Sequence, residues 1–193
     1  MRTIETTVYE FNELSDQAKQ KALDSLRDID HDWHEYVIDM VKEIASMIGI
    51  DEPTIYYSGF SSQGDGACFE GTYVYKKGAL KTIKREFPTM TDLHKIVEAL
   101  QSLQSKHSYS LTATVKHAGH YYHEMCTNIY IYKNDSNTSS IEITQTLSEL
   151  MRDFMRWIYR TLEKEYEYQT SDEAVRENIL ANEYEFYADG SVV

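Results

Sequence analysis

His117, His120, His123 and Cys126 recur every three residues. Zinc and iron accept neutral imidazole and thiolate, so this run is the first place to look for chemistry. On a strand, side chains alternate between faces, so His123 and Cys126 point opposite ways. His117 and His123 share a face as diagonal neighbours across a hairpin. Two ligands do not complete a coordination shell. The expectation is therefore no cofactor and no intrinsic transition metal, and a His- and Tyr-rich sheet face with a structural or binding role.

Three other groups carry chemistry-bearing side chains. Asp30-His31-Asp32-x-His34-Glu35 opens a helix, where acids suit the helix dipole. His31 and Glu35 stand four apart but do not make the H-E-x-x-H pattern of a zinc hydrolase. The loop Ser61-Ser62-Gln63-Gly64-Asp65-Gly66 offers backbone N–H groups to an anion, without the spacing or the following helix of a P-loop. Lys76, Lys77, Lys81, Lys84 and Arg85 either meet phosphate or balance the acidic helices. Cys68 and Cys126 are both expected inside strands, where burial makes thiols inert.

Hydrophobic periodicity supplies the elements that must position these groups. Residues 3–11 predict a strand. Ser15 predicts an N-cap for a helix carrying Ala18, Ala22 and Leu26. Trp33, Tyr36, Val37, Met40, Val41, Ile44 and Ile48 predict a second helix stopped by Gly49. Strands are expected at 54–60 and 67–75, joined by the 61–66 loop with an Asp-Gly turn. Leu80, Ile83 and Phe87 give the basic stretch helical spacing, and Thr91 is expected to cap a helix through Leu103. Residues 108–117 alternate cleanly, and a partner strand runs through Tyr121, His123, Met125, Ile129 and Ile131 after a loop at 118–120. Thr146-x-x-Glu149 predicts a capping box for a long helix, Thr170-x-x-Glu173 one for a last short helix, and Tyr184 and Phe186 an edge strand. Sequential hairpins predict an α+β fold: a mainly antiparallel sheet with helices packed on one face, in one domain spanning 1–193, or at most one domain with an appendage.

Composition narrows the classes. The 193 residues are 41% hydrophobic, enough for a core without disulfides or metals. Met1–Glu5 has no apolar segment of the signal-peptide kind. No apolar run approaches the ~20 residues of a membrane span. Two distant cysteines suit a reducing cytoplasm. Net charge is −13, and it is unevenly placed. Residues 5–43 hold 11 acids and 4 bases, residues 163–189 hold 9 and 2, and residues 44–162 hold 12 of each. Such ends repel phosphate backbones, so direct nucleic-acid binding is not expected. They keep the chain soluble, and they attract a basic partner.

Four strings carry a family resemblance: Phe11-x-x-Leu14-Ser15-x-x-Ala18; Tyr57-Ser58-Gly59-Phe60-x-Ser62-Gln63-Gly64-Asp65-Gly66-Ala67; Lys116-His117-x-Gly119-His120-Tyr121-x-His123; and Asp153-Phe154-Met155-Arg156-Trp157-Ile158-Tyr159. Over nearly its whole length the chain resembles small phage and prophage proteins labelled antitoxin-like, after toxin–antitoxin stability systems. The resemblance implies a phage-encoded accessory protein acting in the host cytoplasm, and names no reaction or cofactor. With the charge pattern, it gives the expectation of a non-enzymatic binder or inhibitor of a host protein with a basic surface, such as a defence or nucleic-acid-handling protein that the acidic ends engage by mimicking nucleic acid. Glu163, Glu167, Glu173, Glu177, Tyr166 and Tyr168 are the candidate contacts. The alternative is a small-molecule or nucleotide-binding module built from Ser62, Gln63, Asp65, His117, His120 and His123 with the 76–85 stretch. A metal-dependent hydrolase using the histidines ranks third.

Overall fold

The structure is a computed structural model that describes residues 6–27, 32–134, 136–137 and 140–193. The chain divides into two compact units. A terminal unit draws on both chain ends, Met1–His34 and Lys164–Val193, and a central unit comprises Glu35–Glu163.

The described elements follow one another along both units of the chain. They are β1 (Tyr9–Glu10), a 3-10 turn (Phe11–Glu13), α1 (Asp16–Leu26), α2 (Glu35–Ile48), β2 (Ile50–Tyr57) and β3 (Ala67–Val74). Then come α3 (Ala79–Glu86), α4 (Thr91–Lys106), β4 (Leu111–His117), β5 (Thr127–Lys133), β6 (Ser136–Asn137), α5 (Ile141–Gln169), α6 (Asp172–Ala181) and β7 (Glu185–Phe186).

In the central unit, α2 buries Val37, Val41, Ile44 and Ile48 of the predicted stripe, while Trp33 precedes the helix, Tyr36 is exposed and Met40 is half-buried. Gly49 ends it with φ 96°, and a Cβ there would stand 2.0 Å from the Val74 carbonyl oxygen. The sheet has the order β2-β3-β4-β5-β6, with every neighbouring pair antiparallel. Tyr73, Ala113 and Ile131 are cross-strand partners and all buried. The next row, Thr72, Thr114 and Tyr130, is exposed or half-exposed. One face is therefore covered by helices and the other is open, as the alternation predicts. Phe154 of α5 meets Phe69 of β3 edge to face at 5.8 Å.

The middle strand is fixed by a buried amide. Gln104, on α4, is fully buried; its Nε2 donates to the Leu111 carbonyl at 2.7 Å, and its Oε1 accepts the Leu111 N–H at 3.2 Å. Its Nε2 also lies 3.4 Å from the Tyr73 hydroxyl. The edge strand β2 carries Pro53, which lacks an N–H, and a register shift between Asp51 and Thr54 with Glu52 at φ 47°.

The terminal unit joins the two chain ends. β1 and β7 pair antiparallel, Tyr9 with Phe186 and Glu10 with Glu185. Phe11, Leu14, Ala18, Ala22, Val175, Ile179 and Phe186 form its core. Lys21 pairs with Asp189 at 2.6 Å, and Arg27 pairs with Asp172 while donating to the Thr170 carbonyl at 2.7 Å. Ser15 caps α1 as predicted, accepting the Ala18 N–H at 3.3 Å.

Several boundaries differ from the sequence reading. The first strand is only Tyr9–Glu10; residues 3–5 of the predicted strand lie outside the described residues. β2 starts four residues earlier than expected, at Ile50. β4 starts at Leu111 because Ser108 and Tyr109 have positive φ, 57° and 59°, and turn the chain. The 118–120 loop is in fact 118–126: pairing stops at His117↔Thr127, so Tyr121, His123 and Met125 are loop residues. α4 includes Thr91 as its first residue, with Met90 at the cap. α5 begins at Ile141, and the Thr146 hydroxyl donates to the Glu142 carbonyl inside the helix, so it caps nothing. Ser171, not Thr170, caps α6. Among the described residues, no helix is long and apolar enough to cross a membrane.

Gln104→Leu tests the clamp. It leaves the buried Leu111 N–H and C=O unpaired, and each orphaned group costs about 1–3 kcal/mol. Denaturant unfolding should show a loss of about 2–4 kcal/mol; a loss within error of an exposed substitution such as Gln101→Leu would show that the clamp is not stabilising.

Candidate functional site

In the central unit the two polar loops, 58–66 and 118–126, lie against each other. Gly64 has φ 97°, and a Cβ there would stand 3.1 Å from the Tyr121 ring; one on Gly66 would stand 3.0 Å from the His123 Cα. The 58–66 loop is closed by Ser58 N–H to the Gly66 carbonyl at 3.0 Å and by Asp65 N–H to the Ser62 carbonyl at 3.1 Å. The turn thus takes its positive φ at Gly64 rather than in the expected Asp65-Gly66 pair.

Asp65 does not face outward to a ligand. Its Oδ2 accepts the N–H groups of Ser61 and Ser62, at 2.9 and 2.6 Å. These bonds, the Ser62 one foremost, hold its carboxyl below the usual carboxylate range. The same bonds occupy two of the amides that the sequence offered to an anion. Ser62 and Gln63 are exposed on the loop.

The histidines separate. His117 sits in an aromatic cluster, 5.7 Å from the Tyr56 ring and 5.2 Å from the Tyr122 ring, and Tyr56 stacks on Tyr122 at 5.2 Å. Its ring Nε2 lies 3.1 Å from the Tyr121 carbonyl. Glu70 ties this cluster to the sheet: it accepts the His117 N–H at 3.0 Å and the Tyr56 hydroxyl at 3.2 Å. His120 is exposed, edge-on to Tyr121 at 5.0 Å. The Nδ1 of His123 accepts the Met125 N–H at 3.1 Å and stands 3.1 Å from Glu124. His123 is on a loop, so the expected shared strand face with His117 does not exist. Among the described residues, no three His, Cys, Asp or Glu side chains converge as metal ligands. His31, the partner of Glu35 in the second spacing, lies outside the described residues.

Arg156 anchors the 118–126 loop to α5. It reaches Glu124 at 3.5 Å and Asp153 at 2.7 Å, and pairs with Glu149. Burial works against its charge, but Asp153 and Glu149 more than offset that and raise its pKa. Tyr56, Glu70, Tyr122, Glu124 and Arg156 escaped the sequence reading. Only the fold brings together residues so far apart in the chain.

The cysteines also part. Cys68 is in β3 and fully buried, and burial pushes its thiol up to about 12. Cys126 is not in a strand as expected; it is half-exposed at the end of the loop, against Gly119. The basic stretch pairs little with acids: Lys84 reaches Glu98 at 4.0 Å and Arg85 its neighbour Glu86 at 2.6 Å, while Lys76 donates to the Ser46 carbonyl at 2.9 Å.

The interaction candidates lie on α5 and α6. Glu163 is half-buried, and Glu167, Glu173 and Glu177 are exposed. Tyr168 donates to Glu177 at 3.4 Å, and the Glu177 charge raises its phenol pKa. Tyr166 lies 5.7 Å from the Trp33 ring. In the terminal unit, a cavity of about 420 Å³ opens between Glu10 and Phe11 on one side and the end of α6 on the other. Phe11 and Ile179 form its floor, and Leu180, Tyr184, Glu10, Glu183 and Glu185 complete its walls.

Native thiol titration should find one accessible group, Cys126, with Cys68 reacting only after denaturation; equal reactivity of Cys68 in the folded protein would contradict its burial. Asp65→Ala should destabilise the protein in a pH-dependent way. Because the folded carboxyl is depressed, its contribution is fully present above the unfolded pKa near ~3.9 and is lost as pH falls through the folded value. Wild type and variant should therefore converge in strong acid. A stability difference that is independent of pH would show that the charge of Asp65 is irrelevant.

No curated protein and no solved structure matches the chain. A family model described as a domain of unknown function, DUF8835, matches residues 33–172, which include all of the central unit. The chain belongs to the DUF8835 family.

Proposed function

We propose that the protein is a non-enzymatic binder of a basic protein, acting as a phage-encoded accessory factor in the host cytoplasm, and that the terminal unit carries the contact surface. The observation that carries this reading is the meeting of the two acidic chain ends in one unit. The stretches Met1–His34 and Lys164–Val193 hold 16 acids and 6 bases, net −10, against 16 and 13, net −3, for Glu35–Glu163. Charge at that density repels phosphate and steers a positively charged surface toward itself.

A face that served solubility alone would be charged and free of large apolar groups. Among the described residues, 8 of the 16 exposed large hydrophobics fall in the terminal unit: Val8, Tyr166, Tyr168, Leu180, Tyr184, Tyr187, Val192 and Val193. That unit holds only a third of the chain, so acids and apolar groups are concentrated together. Exposed ion pairs contribute only ~0–1 kcal/mol each, so the tyrosines and Leu180 are the better anchors and the glutamates the steering groups. The nucleotide-module reading keeps its two neighbouring loops but loses the free amides that Asp65 occupies.

The test is capture of the partner from host lysate with the full chain, followed by association kinetics. Reversal of Glu163, Glu167, Glu173 and Glu177 to lysine together should slow association by about tenfold or more at low salt, with the difference shrinking as salt shortens the Debye length to about 8 Å. An unchanged rate in a folded variant, or capture of nucleic acid or a small molecule instead of protein, would sink the reading.

A further inference from the structure

We infer that the 420 Å³ cavity of the terminal unit is the anchoring pocket for an arginine side chain of the basic partner, a site that rests on the binding role proposed above. Its volume is in the range of pockets that hold small groups, and its composition fits one kind of group. The floor, Phe11 and Ile179, is apolar and at most 5% exposed. The walls carry three carboxylates, Glu10, Glu183 and Glu185. An arginine has the matching form: an aliphatic stem that packs on apolar surface, ending in a planar guanidinium that binds carboxylates through paired hydrogen bonds.

Among the described residues of the unit, no cation is seated on these carboxylates. Lys21 is paired with Asp189, and Arg27 with Asp24 and Asp172. Among the described residues, no lysine, arginine or histidine forms an ion pair with Glu10, Glu183 or Glu185. Glu10 is half committed, since its side chain accepts the Glu13 N–H in a reciprocal cap. Glu183 and Glu185 are the uncompensated pair. Bringing β1 and β7 together sets Glu10 directly opposite Glu185, a like-charge pairing that is unfavourable by itself and that a bound cation relieves.

The approach is also marked. Glu173, Glu177 and Leu180 stand at i, i+4 and i+7 on α6, so they share one face of the helix. All three are exposed, and Leu180 is part of the cavity wall. A basic segment lying along that face meets acids first and then an apolar rim, with Tyr184 37% exposed beside it. A small free cation would need no such approach. The occupant is therefore a protein side chain flanked by apolar residues.

The experiment uses the full chain and a fluorescein-labelled peptide of alternating arginine and leucine, read by fluorescence anisotropy. Glu183→Gln with Glu185→Gln should weaken binding roughly tenfold, and Leu180→Ser should weaken it severalfold. The charge-matched control, Glu43→Gln with Glu142→Gln in the central unit, should change it by less than about twofold. Replacing the peptide arginines by lysine should weaken binding, and free arginine or spermidine at equal concentration should not compete. Equal losses in pocket and control variants, no binding by the wild type, or full competition by the small cations would each overturn the pocket. Measured against the captured partner, slow association after the four-glutamate reversal together with an unchanged Glu183/Glu185 variant removes the pocket alone. If neither variant has an effect, the binding role falls with it.

Discussion

The buried amide of Gln104 is the interaction on which the sheet depends. β4 is the middle of five strands, and its first residue is held on both backbone groups by one side chain from α4. In a sheet, a slip of one residue turns every side chain to the other face. A clamp at Leu111 fixes the register at one end of β4, and from there Ala113 and Val115 fall on the helix-covered face. The same register ends the β4–β5 ladder at His117 and Thr127 and so sets the length of the loop that follows. The aromatic cluster around His117 and the reach of Glu124 to Arg156 are consequences of where that ladder stops.

The terminal unit rests on a different constraint. Two short strands of two residues each would not persist alone. They are held by the apolar core beneath them, where Phe11 meets Phe186 at 6.2 Å and α1 packs on α6. That core gathers segments from opposite chain ends, and both happen to be acidic. The charge of the unit is thus tolerated because apolar burial, not ion pairing, holds it together. The ion pairs that do form, such as Lys21 with Asp189, are exposed and contribute little.

Much of this was legible in the sequence. The fold class, the helix stripes of α2 and α4, and the Ser15 cap follow from periodicity and capping chemistry alone. What failed were places where local signals compete. Thr146-x-x-Glu149 has the letters of a capping box, but a threonine hydroxyl inside a helix bonds back to the preceding turn equally well. The alternation at Tyr121, His123 and Met125 imitates a strand, yet no ladder partner lies opposite, and periodicity cannot report that. The two polar loops, whose residues the sequence offers together as a ligand module, do lie against each other. The inward turn of Asp65, the Glu70 bridge and the acidic cavity required tertiary contacts between residues far apart in the chain.

The irregular edge at β2 bears on how this molecule behaves in a crowded cell. An open strand is a template on which other chains can grow, by peptide addition or by sheet-to-sheet polymerisation. On β2 the proline and the register break leave just Thr54–Tyr57 with a continuous ladder. Such an edge is too short to seed cross-β growth. At this edge the sheet offers a neighbouring chain little backbone to pair with, although tyrosines and valines stand exposed elsewhere on the molecule.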